Sequence, residues 1–412
     1  MIAKQWLQKL RLPAVALATA ACLHAPASAQ TGDKLRIGMT VSSTGSFALA
    51  SQSGVRGVEV WVDEINKKGG VQIGNKKYPV ELVKLDDRSD KQMVTRVYET
   101  LINDNKVDLV FAPFGSTLTA AAATVTDRLG KYMMIWSAAS DALYKEGFKY
   151  IVSGTQMPVS AMLRASTELA ANLGVKKVAI VYSDEPFPAG LADGGKALAA
   201  KHGMEVVMFE KYPKGQKDFS TMLQKAKALG AQAFIPTSYE GDLISMTRQM
   251  KQMNINFPYV FMVYASTPQF QAIGPDADYI FSHTNYHPSI NWKVTAGYDR
   301  EQFQKAYDRM FPKAEFPPDF QTALAYGAAV LAGEIITKAG STDAAALKKA
   351  SMDLSGKMTV MAGPYAIDET GKQLQMPFPV VQIQPGKGMV TVWPKDVAVA
   401  QPIYPIPDWK KR

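Results

Sequence analysis

The chain has 412 residues, 47% of them hydrophobic, which is enough for two domains with sizeable cores. Its formal net charge of +9 is mild for this length, and the basic residues are scattered, as in Lys67-Lys68 and Lys348-Lys349. Because no basic block alternates with aromatic residues, these features argue against a nucleic-acid partner.

Residues 1–29 are typical of a secretory signal peptide. A basic start is followed by an apolar stretch too short for a comfortable membrane span. Ala27-Ser28-Ala29 then forms the small-x-small pattern of a cleavage site before Gln30. The only cysteine, Cys22, lies inside this segment, and whether it carries a lipid is left open. We expect a soluble, exported product without a disulfide, a thiol nucleophile or a thiolate metal site.

The first part of the exported chain alternates apolar strands with amphipathic helices. In chain order we predict strand 35–41, a helix from about Ser53 to Gly69-Gly70, strand 79–85, helix 90–103, strand 107–111, an Ala-rich helix to about Leu129 and strand 132–136. This order is typical of a parallel sheet with helices on both faces.

A second α/β unit is predicted at roughly 155–282. Its elements are an extended piece at 150–154, helix 159–173, strand 176–182, a helix from about Ala189, strand 204–210, helix 219–229, strand 233–236, helix 242–253 and strand 259–263. It is followed by an extended piece at 279–284, helices 295–310 and 320–338, and short β-like runs at 380–383 and 389–393. No later segment is expected to span a membrane. The order indicates two similar lobes with several chain crossings.

Two strand ends of the first unit carry small polar loops, Pro113–Thr117 and Ser137–Ser140. In open α/β sheets, ligands bind at the carboxyl ends of strands, and free N–H groups at a helix start favour an anion. Ser116, Thr117 and Ser140 are therefore candidates for anion binding. Each could equally be only a helix N-cap.

Other chemistry has little support in the sequence. The loop after the first strand lacks G-x-G-x-x-G, and no G-x-S-x-G elbow is present, so we expect neither a cofactor nor a serine hydrolase. His283 and His287 lie in an extended stretch before Pro288, which favours exposed loop histidines over a shared metal site. Asp86 and Asp87 could be a carboxylate pair, but hydrogen bonds to loops are the better interpretation. These features favour a receptor that closes two lobes around a small solute.

Several short motifs share a characteristic order and spacing, although none is specific alone. They are Ile37-Gly38 to Gly45, residues 55–70 (VRGVEVWVDEINKKGG), Asp86-Asp87, Gly115-Ser116-Thr117, Ser137-Ala138-Ala139-Ser140, residues 176–184 (KKVAIVYSD), Gly190-Leu191, and Ala362-Gly363-Pro364-Tyr365 with Asp368 and Gly371. With this order the chain resembles the solute-binding proteins of branched-chain amino acid ABC transporters. The resemblance covers nearly the whole chain after residue 29.

The resemblance implies the α/β type I periplasmic binding fold, with two Rossmann-like lobes of parallel sheets and a three-crossover hinge. The implied crossovers lie near 153–156, 281–285 and 362–368. The first lobe would hold residues 30–154 plus 284–363, and the second 155–283 plus 364–412. It also implies a periplasmic protein, expected to be a monomer, that captures a small-molecule solute and delivers it to a membrane permease with two ATPase partners.

The resemblance also implies residues that bind the ligand. In amino-acid binders of this type, a Ser and a Ser/Thr of the first lobe hold the ligand carboxylate together with backbone groups. Ser116 and Ser140 match those positions, with Thr117 beside them and backbone contacts from Ala138 and Ala139.

Aromatic residues are implied opposite the carboxylate. Phe187 and Tyr239 match the aromatic positions of the second lobe, and Tyr264 follows its last strand. Phe47 in the first loop could join them. Core packing is the alternative role for each of these rings.

One position departs from the family pattern. Amino-acid binders use an acidic residue just after the strand at 259–263 to hold the ligand ammonium, but this chain has Tyr264-Ala265-Ser266 there. A buried ammonium without a partner is costly. Glu240 or Asp184 could substitute, although Glu240 could simply cap a helix. We therefore expect an organic acid with an apolar or aromatic body, with an amino acid as the alternative.

Two other classes of function stay open. The same fold could serve as the ligand-binding sensor subunit of an extracellular signalling system. An exported enzyme has less support, because the sequence offers no paired nucleophile and base.

Overall fold

The computed structural model of the protein describes residues 32–412. The predicted signal peptide at 1–29, with Cys22, lies outside the described residues. The first lobe begins with β1 (Leu35–Val41), α1 (Ala48–Lys67), β2 (Val71–Ile73), β3 (Lys76–Tyr78), β4 (Val80–Asp86), α2 (Lys91–Asn103), β5 (Leu109–Phe111), α3 (Ser116–Arg128), β6 (Met133–Ile135) and β7 (Ile151–Ser153). Five of these strands form a parallel sheet in the order β4-β1-β5-β6-β7. A parallel sheet was predicted, but β7 corresponds to the extended piece that was predicted to open the second unit, and it pairs with β6 of the first lobe.

Helix α2 illustrates how the sequence produces these elements. The Asp90 carboxylate accepts a hydrogen bond from the backbone N–H of Met93 at 2.7 Å and so caps the helix start, as expected. Val94, Tyr98 and Leu101 lie on one face of α2, are buried, and pack toward β1. Strand β5 is buried along its whole length, because helices cover both faces of the sheet.

The second lobe contains α4 (Val159–Met162), α5 (Arg164–Asn172), β8 (Lys177–Ser183), α6 (Pro186–Lys201), β9 (Glu205–Tyr212), α7 (Ser220–Ala228), β10 (Ala233–Thr237), α8 (Glu240–Gln252) and β11 (Tyr259–Val260). Its strands form a second parallel sheet in the order β11-β10-β8-β9. The two sheets confirm the predicted pair of similar α/β units.

The remaining elements are α9 (Pro268–Gln271), β12 (Phe281–His283), α10 (Arg300–Met310), α11 (Phe320–Ala339), α12 (Ala344–Leu354), β13 (Met358–Val360), β14 (Gly363–Tyr365), β15 (Val380–Gln384) and β16 (Gly388–Trp393). Strands β12, β15 and β16 form an antiparallel sheet in the order β12-β15-β16. A parallel bridge between Phe261 and Phe281 joins this sheet to the chain just after β11.

The chain passes between the lobes three times, after β7, after β12 and between β14 and β15. The crossing segments are hydrogen-bonded to one another. The Gln373 side chain donates to the carbonyl of Gly154 at 2.8 Å, and the N–H of Thr284 donates to the carbonyl of Pro379 at 3.0 Å. A hinge of this kind allows the lobes to close on a ligand.

Helix α11 returns to the first lobe and forms its core. By length and composition it is apolar enough to cross a membrane, contrary to the expectation for this part of the chain, but nearly all of it is buried inside the protein. It packs on α1 at Gly57. Glycine is required at this position because a Cβ would overlap the carbonyl oxygen of Thr322 in α11.

The predicted start of the first helix at Ser53 is wrong, because α1 begins at Ala48. The Ser53 hydroxyl donates instead to the Asp319 carboxylate at 2.8 Å, inside the contact between α1 and α11. Asp319 also caps α11 by accepting the N–H of Thr322 at 3.0 Å.

Three other predicted boundaries are wrong. The helix predicted at 295–310 begins at Arg300, because Asp299 and Gln302 form a capping box there. The helix predicted at 159–173 is divided at Leu163, whose ψ of 9° leaves the helical region. The strand predicted at 259–263 is limited to β11, and neither α12 nor the β2–β3 hairpin was predicted.

Candidate functional site

The carboxyl ends of β5 and β6 face the starts of α6 and α8 across the cleft between the lobes. Gly115 of the first lobe has a φ of 81°, which favours glycine, and a Cβ there would lie 3.5 Å from the Tyr239 hydroxyl of the second lobe. The Phe47 and Tyr239 rings also meet across the cleft, with centroids 4.9 Å apart. The two lobes are therefore in contact at this point.

Helix α3 begins at the cleft without a side-chain cap. Its N-cap is Gly115, so Ser116 and Thr117 are the first two helical residues, and the interpretation of either as an N-cap is wrong. Ser140 precedes a short 3-10 turn but forms no capping bond either. The free N–H groups of α3 and its dipole make this end favourable for an anion.

Ser116 joins the two polar loops that the sequence singled out. Its hydroxyl oxygen accepts hydrogen bonds from the backbone N–H groups of Ala139 at 3.2 Å and Ser140 at 3.1 Å. Ala138 is fully buried beside them. The Thr117 hydroxyl is buried and has no hydrogen-bond partner. The five predicted residues of this end therefore lie together.

Ser137 is a residue of this region that the sequence reasoning did not place in the site. Its hydroxyl accepts the N–H of Gly115 at 3.1 Å and so fixes the residue that precedes α3. Its position in a polar loop at a strand end was the available signal.

The four aromatic residues predicted for the site form one cluster. The ring centroid of Phe187 lies 5.6 Å from that of Tyr239 and 6.3 Å from that of Tyr264. The centroids of Tyr239 and Tyr264 are 6.4 Å apart. Phe47 joins the cluster from the first lobe, and α6 begins at Pro186, so Phe187 stands on the first helical turn. The Tyr239 hydroxyl is buried without a partner, and burial raises its pKa.

Two further rings extend the cluster into the first lobe. The ring centroid of Phe114 lies 5.6 Å from that of Phe47 and 5.8 Å from that of Trp136. The Trp136 indole N–H donates to the carbonyl of Ala112 at 2.9 Å, and Gly54 of α1 leaves room for the ring. Neither ring was predicted for the site: Trp136 was predicted at the end of a strand and Phe114 in the loop Pro113–Thr117, where an apolar residue does not distinguish a core from a cleft.

Three spaces run along the cleft. The serine groove, of about 340 Å³, runs along the side of α3 and meets the second lobe at Pro186; it is lined by Lys91, Ser116, Ala120, Ala121, Thr124, Ser140, Ala142, Leu143, Glu146, Phe148 and Pro186. The central cavity, of about 20 Å³, is lined by Phe114, Trp136, Ser137, Gln156, Met162, Phe187, Val263, Tyr264, His283, Phe320, Gln321 and Leu324. The glutamate groove, of about 380 Å³, is bordered by Tyr239, Glu240, Tyr264 and Gln321 among others. The central cavity is the size of a single water molecule, so an organic solute requires the lobes to separate.

Glu240 borders the glutamate groove, as does Glu315, and lies near the position where the family acid is missing. Its carboxylate accepts a hydrogen bond from the Thr267 hydroxyl, and it stands at the first position of α8. Burial raises its pKa to about 7, with a further contribution from the nearby charge of Asp319. Asp184, the other candidate, is exposed and paired with Lys211 at 3.1 Å.

Asp86 and Asp87 bind loops, which confirms the interpretation made from the sequence. Asp87 accepts hydrogen bonds from the hydroxyls of Thr40 and Ser42, both at 2.6 Å. Asp86 accepts the N–H of Ser43 at 3.0 Å. These carboxylates fix the loop after β1 at the edge of the cleft.

The expectation that His283 and His287 are exposed loop residues is wrong. His283 is 1% exposed and stacks on Phe378 with ring centroids 4.4 Å apart, because β12 lies inside the second lobe. Burial lowers its pKa to about 3, and its Nδ1 atom has no hydrogen-bond partner. His287 is half-buried, and its ring nitrogens lie 2.9 Å from the Ser289 hydroxyl and 3.0 Å from the carbonyl of Met389. In residues 32–412, no group of three or more metal-ligating side chains comes together.

Sequence comparison identifies relatives along nearly the whole chain. The sequence profile described as "Periplasmic binding protein" matches residues 34–388. The Leu/Ile/Val-binding protein homolog 7 of Brucella suis biovar 1 (strain 1330) is 27% identical over 408 residues, which cover 94% of this chain and 98% of that protein.

Solved structures share the fold. The leucine-binding protein LivK of Thermotoga maritima superposes with a TM-score of 0.75 at 21% identity, covering 87% of this chain and 97% of its own. An ABC-transporter solute-binding protein of R. palustris in complex with benzoate gives 0.73 at 18% identity, covering 87% and 95%. The predicted type I periplasmic binding fold is confirmed.

Proposed function

Because the chain belongs to the periplasmic binding protein family, we propose that it is the solute-binding component of an ABC importer. It captures a small carboxylated solute between its lobes and delivers it to a permease with ATPase subunits at the inner membrane. The observation that carries this proposal is the uncapped start of α3, which faces a cluster of aromatic rings across the cleft.

The solute carboxylate occupies the serine groove. Ser116, Thr117 and Ser140 supply hydroxyls, and the start of α3 with Ala138 and Ala139 supplies backbone groups. Thr117 stands beside Ser116 but is not among the residues that line the groove; its buried hydroxyl has no partner, although buried polar groups in proteins are normally hydrogen-bonded. A carboxylate placed here also gains from the helix dipole.

The body of the solute packs on the aromatic cluster. Phe187, Tyr239 and Tyr264 contact it from the second lobe, and Phe47 closes over it from the first. Aromatic rings of this kind favour an apolar or aromatic body. The benzoate bound by the R. palustris protein of the same fold supports an aromatic acid as one member of the class.

The position of Glu240 favours an organic acid over an amino acid. In an α-amino acid the ammonium and the carboxylate share one carbon atom, so their partners must lie close together. Glu240 borders the glutamate groove, whereas Ser116 and Ser140 border the serine groove, and the central cavity lies between them. An ammonium beside the carboxylate would therefore not be paired with Glu240, and an unpaired buried ammonium is costly.

The signal peptide at 1–29 directs export and is cleaved before Gln30. The mature protein acts in the periplasm as a monomer without a cofactor and without catalysis. The lobes comprise residues 30–154 plus 284–363, and 155–283 plus 364–412.

A thermal-shift screen of the protein from residue 30 onward tests this function. The panel holds benzoate, phenylacetate and the deaminated analogues of leucine and phenylalanine beside the amino acids themselves. A solute at a hundred times its Kd stabilises the fold by about 2.7 kcal/mol, which raises Tm measurably.

We expect the deaminated acids to raise Tm and the amino acids to leave it unchanged. A response to leucine or phenylalanine alone would show that a carboxylate reaches the ammonium, and the assignment to organic acids would be wrong. A screen without any response to a carboxylated solute would contradict the proposed function itself.

A further inference from the structure

We propose that His283 and Gln321 form a hydroxyl-binding subsite at the floor of the central cavity, which makes ring-hydroxylated aromatic acids the preferred solutes. The inference rests on the proposed function, because it concerns the body of the solute and not its carboxylate.

His283 brings a neutral imidazole to the lining of the cavity. Its side chain is 1% exposed, lines the central cavity, and leaves Nδ1 without a partner. The rings of Phe261, Phe320 and Phe378 surround it at centroid distances of 5.8, 5.8 and 4.4 Å. This apolar surrounding keeps the imidazole neutral, with one donor and one acceptor nitrogen.

Gln321 contributes an acceptor to the same cavity. It is 3% exposed, stands on the first turn of α11, and its Oε1 atom is buried without a hydrogen-bond partner. Its backbone N–H is already bound by Asp319 at 3.0 Å, so α11 fixes the residue while its side chain stays available. Two unpaired polar groups on one small cavity are unusual, because most buried polar groups are paired.

A hydroxyl group matches this pair of atoms. It donates one hydrogen bond, which Gln321 Oε1 accepts, and it accepts another, which a protonated Nδ1 of His283 donates. The central cavity, of about 20 Å³, has the volume for one such group. An ammonium is a poorer match, because no carboxylate is among the residues that line the cavity.

The order of the spaces places the hydroxyl away from the carboxylate. Pro186 borders the serine groove, and its neighbour Phe187 borders the central cavity. In the same way, Ser140 borders the serine groove and Ser137 borders the central cavity. A solute that spans both spaces therefore presents its carboxylate to α3 and a ring substituent to His283 and Gln321.

Isothermal titration calorimetry of the wild-type protein with four probes tests the subsite. The probes are benzoate, 3-hydroxybenzoate, 4-hydroxybenzoate and 4-methylbenzoate, the last a similarly sized apolar match. We expect at least one hydroxybenzoate to bind about tenfold more tightly than benzoate and 4-methylbenzoate, which is the scale of one buried hydrogen bond. Equal affinities for all four would overturn the subsite and leave the proposed function intact.

Two variants assign the preference to these residues. Gln321→Leu and His283→Phe should each reduce the preference for the hydroxybenzoate to about twofold or less while benzoate still binds. Gln269→Leu is the matched control, because Gln269 also has a buried, unpaired Oε1 and borders the glutamate groove, as Gln321 does, but does not line the central cavity. A preference that persists in both variants would overturn the assignment. If none of the four probes binds the wild-type protein, both the proposed function and the subsite are contradicted.

Discussion

The Ser116 hydroxyl oxygen lies 3.1 Å from the backbone nitrogen of Ser140 and accepts its hydrogen bond. This bond links the start of α3 to the loop after β6, so two neighbouring strand ends form one binding surface. A ligand carboxylate bound here would be contacted by both loops, because Ser116 and Ser140 both border the serine groove.

Ser116→Ala is expected to weaken binding of a carboxylated solute about tenfold, because it removes a hydroxyl contact and the acceptor that orders the Ala139 and Ser140 N–H groups. Isothermal titration calorimetry measures the change. Thr221→Ala, which removes an exposed hydroxyl from α7, should leave the affinity unaltered. An unchanged affinity in Ser116→Ala would show that the carboxylate binds elsewhere.

Glu240 should make stability depend on pH. Its pKa of about 7 lies above the ordinary value of 4.5, so the folded protein retains a proton that the unfolded chain releases between these values. The free energy of unfolding should therefore fall by about 1–3 kcal/mol as pH rises from 4.5 through 7. Glu240→Gln removes this decrease while keeping an acceptor for Thr267.

Urea unfolding of the wild type and of Glu240→Gln at several pH values measures this difference. Asp184→Asn is the control, because it removes an exposed carboxylate paired only with Lys211. Parallel pH profiles of the wild type and Glu240→Gln would mean that Glu240 ionises as freely in the folded protein as in the unfolded one.

Tyr239→Phe should stabilise the ligand-free protein by about 1 kcal/mol. The Tyr239 hydroxyl is buried without a partner, so removing it relieves a desolvation cost while the ring keeps its packing on Phe47 and Phe187. Tyr98→Phe is the matched comparison, because the Tyr98 hydroxyl donates to the carbonyl of Phe111 at 2.6 Å, and its loss should destabilise. Urea unfolding distinguishes the two, and equal destabilisation would show that the Tyr239 hydroxyl is bonded.

Gly54→Ala should destabilise the protein by about 2 kcal/mol or more. A Cβ at Gly54 would overlap the Trp136 ring, which is held by its hydrogen bond to Ala112. Gly241→Ala in α8 has no atom near the added methyl group and should be neutral or stabilising. A Tm of Gly54→Ala within a degree of the wild type would show that Trp136 can move aside freely.

Much of the fold was predictable because its signals are local. The apolar runs of β8 and β10 and the Asp90 cap of α2 specify elements without reference to distant contacts. The start of α1 was not predictable in this way. Ser53 has the chemistry of an N-cap, and only its contact with Asp319, which is remote in sequence, shows that it is internal.

The candidate site was likewise predictable only where its residues carry a local signal. The polar loops around Ser116 and Ser140 and the aromatic residues were found because they stand at strand ends, where the chain order predicts a cleft. His283 and Gln321 were not found, because their burial depends on how β12 and α11 cross between the lobes. A histidine in a short extended stretch carries no local signal of burial, and unpaired side-chain atoms become visible only once their surroundings are known.

The central claim is that the cleft binds a solute through its carboxylate. The most direct measurement compares the affinity of the tightest-binding acid with that of its primary amide, which preserves size and shape but removes the charge. We predict that calorimetry detects binding of the acid and that the amide binds at least a hundredfold more weakly. The amide loses both the hydrogen bonds to a charged group and the favourable interaction of that charge with the α3 dipole. Similar affinities for the acid and the amide would contradict the account.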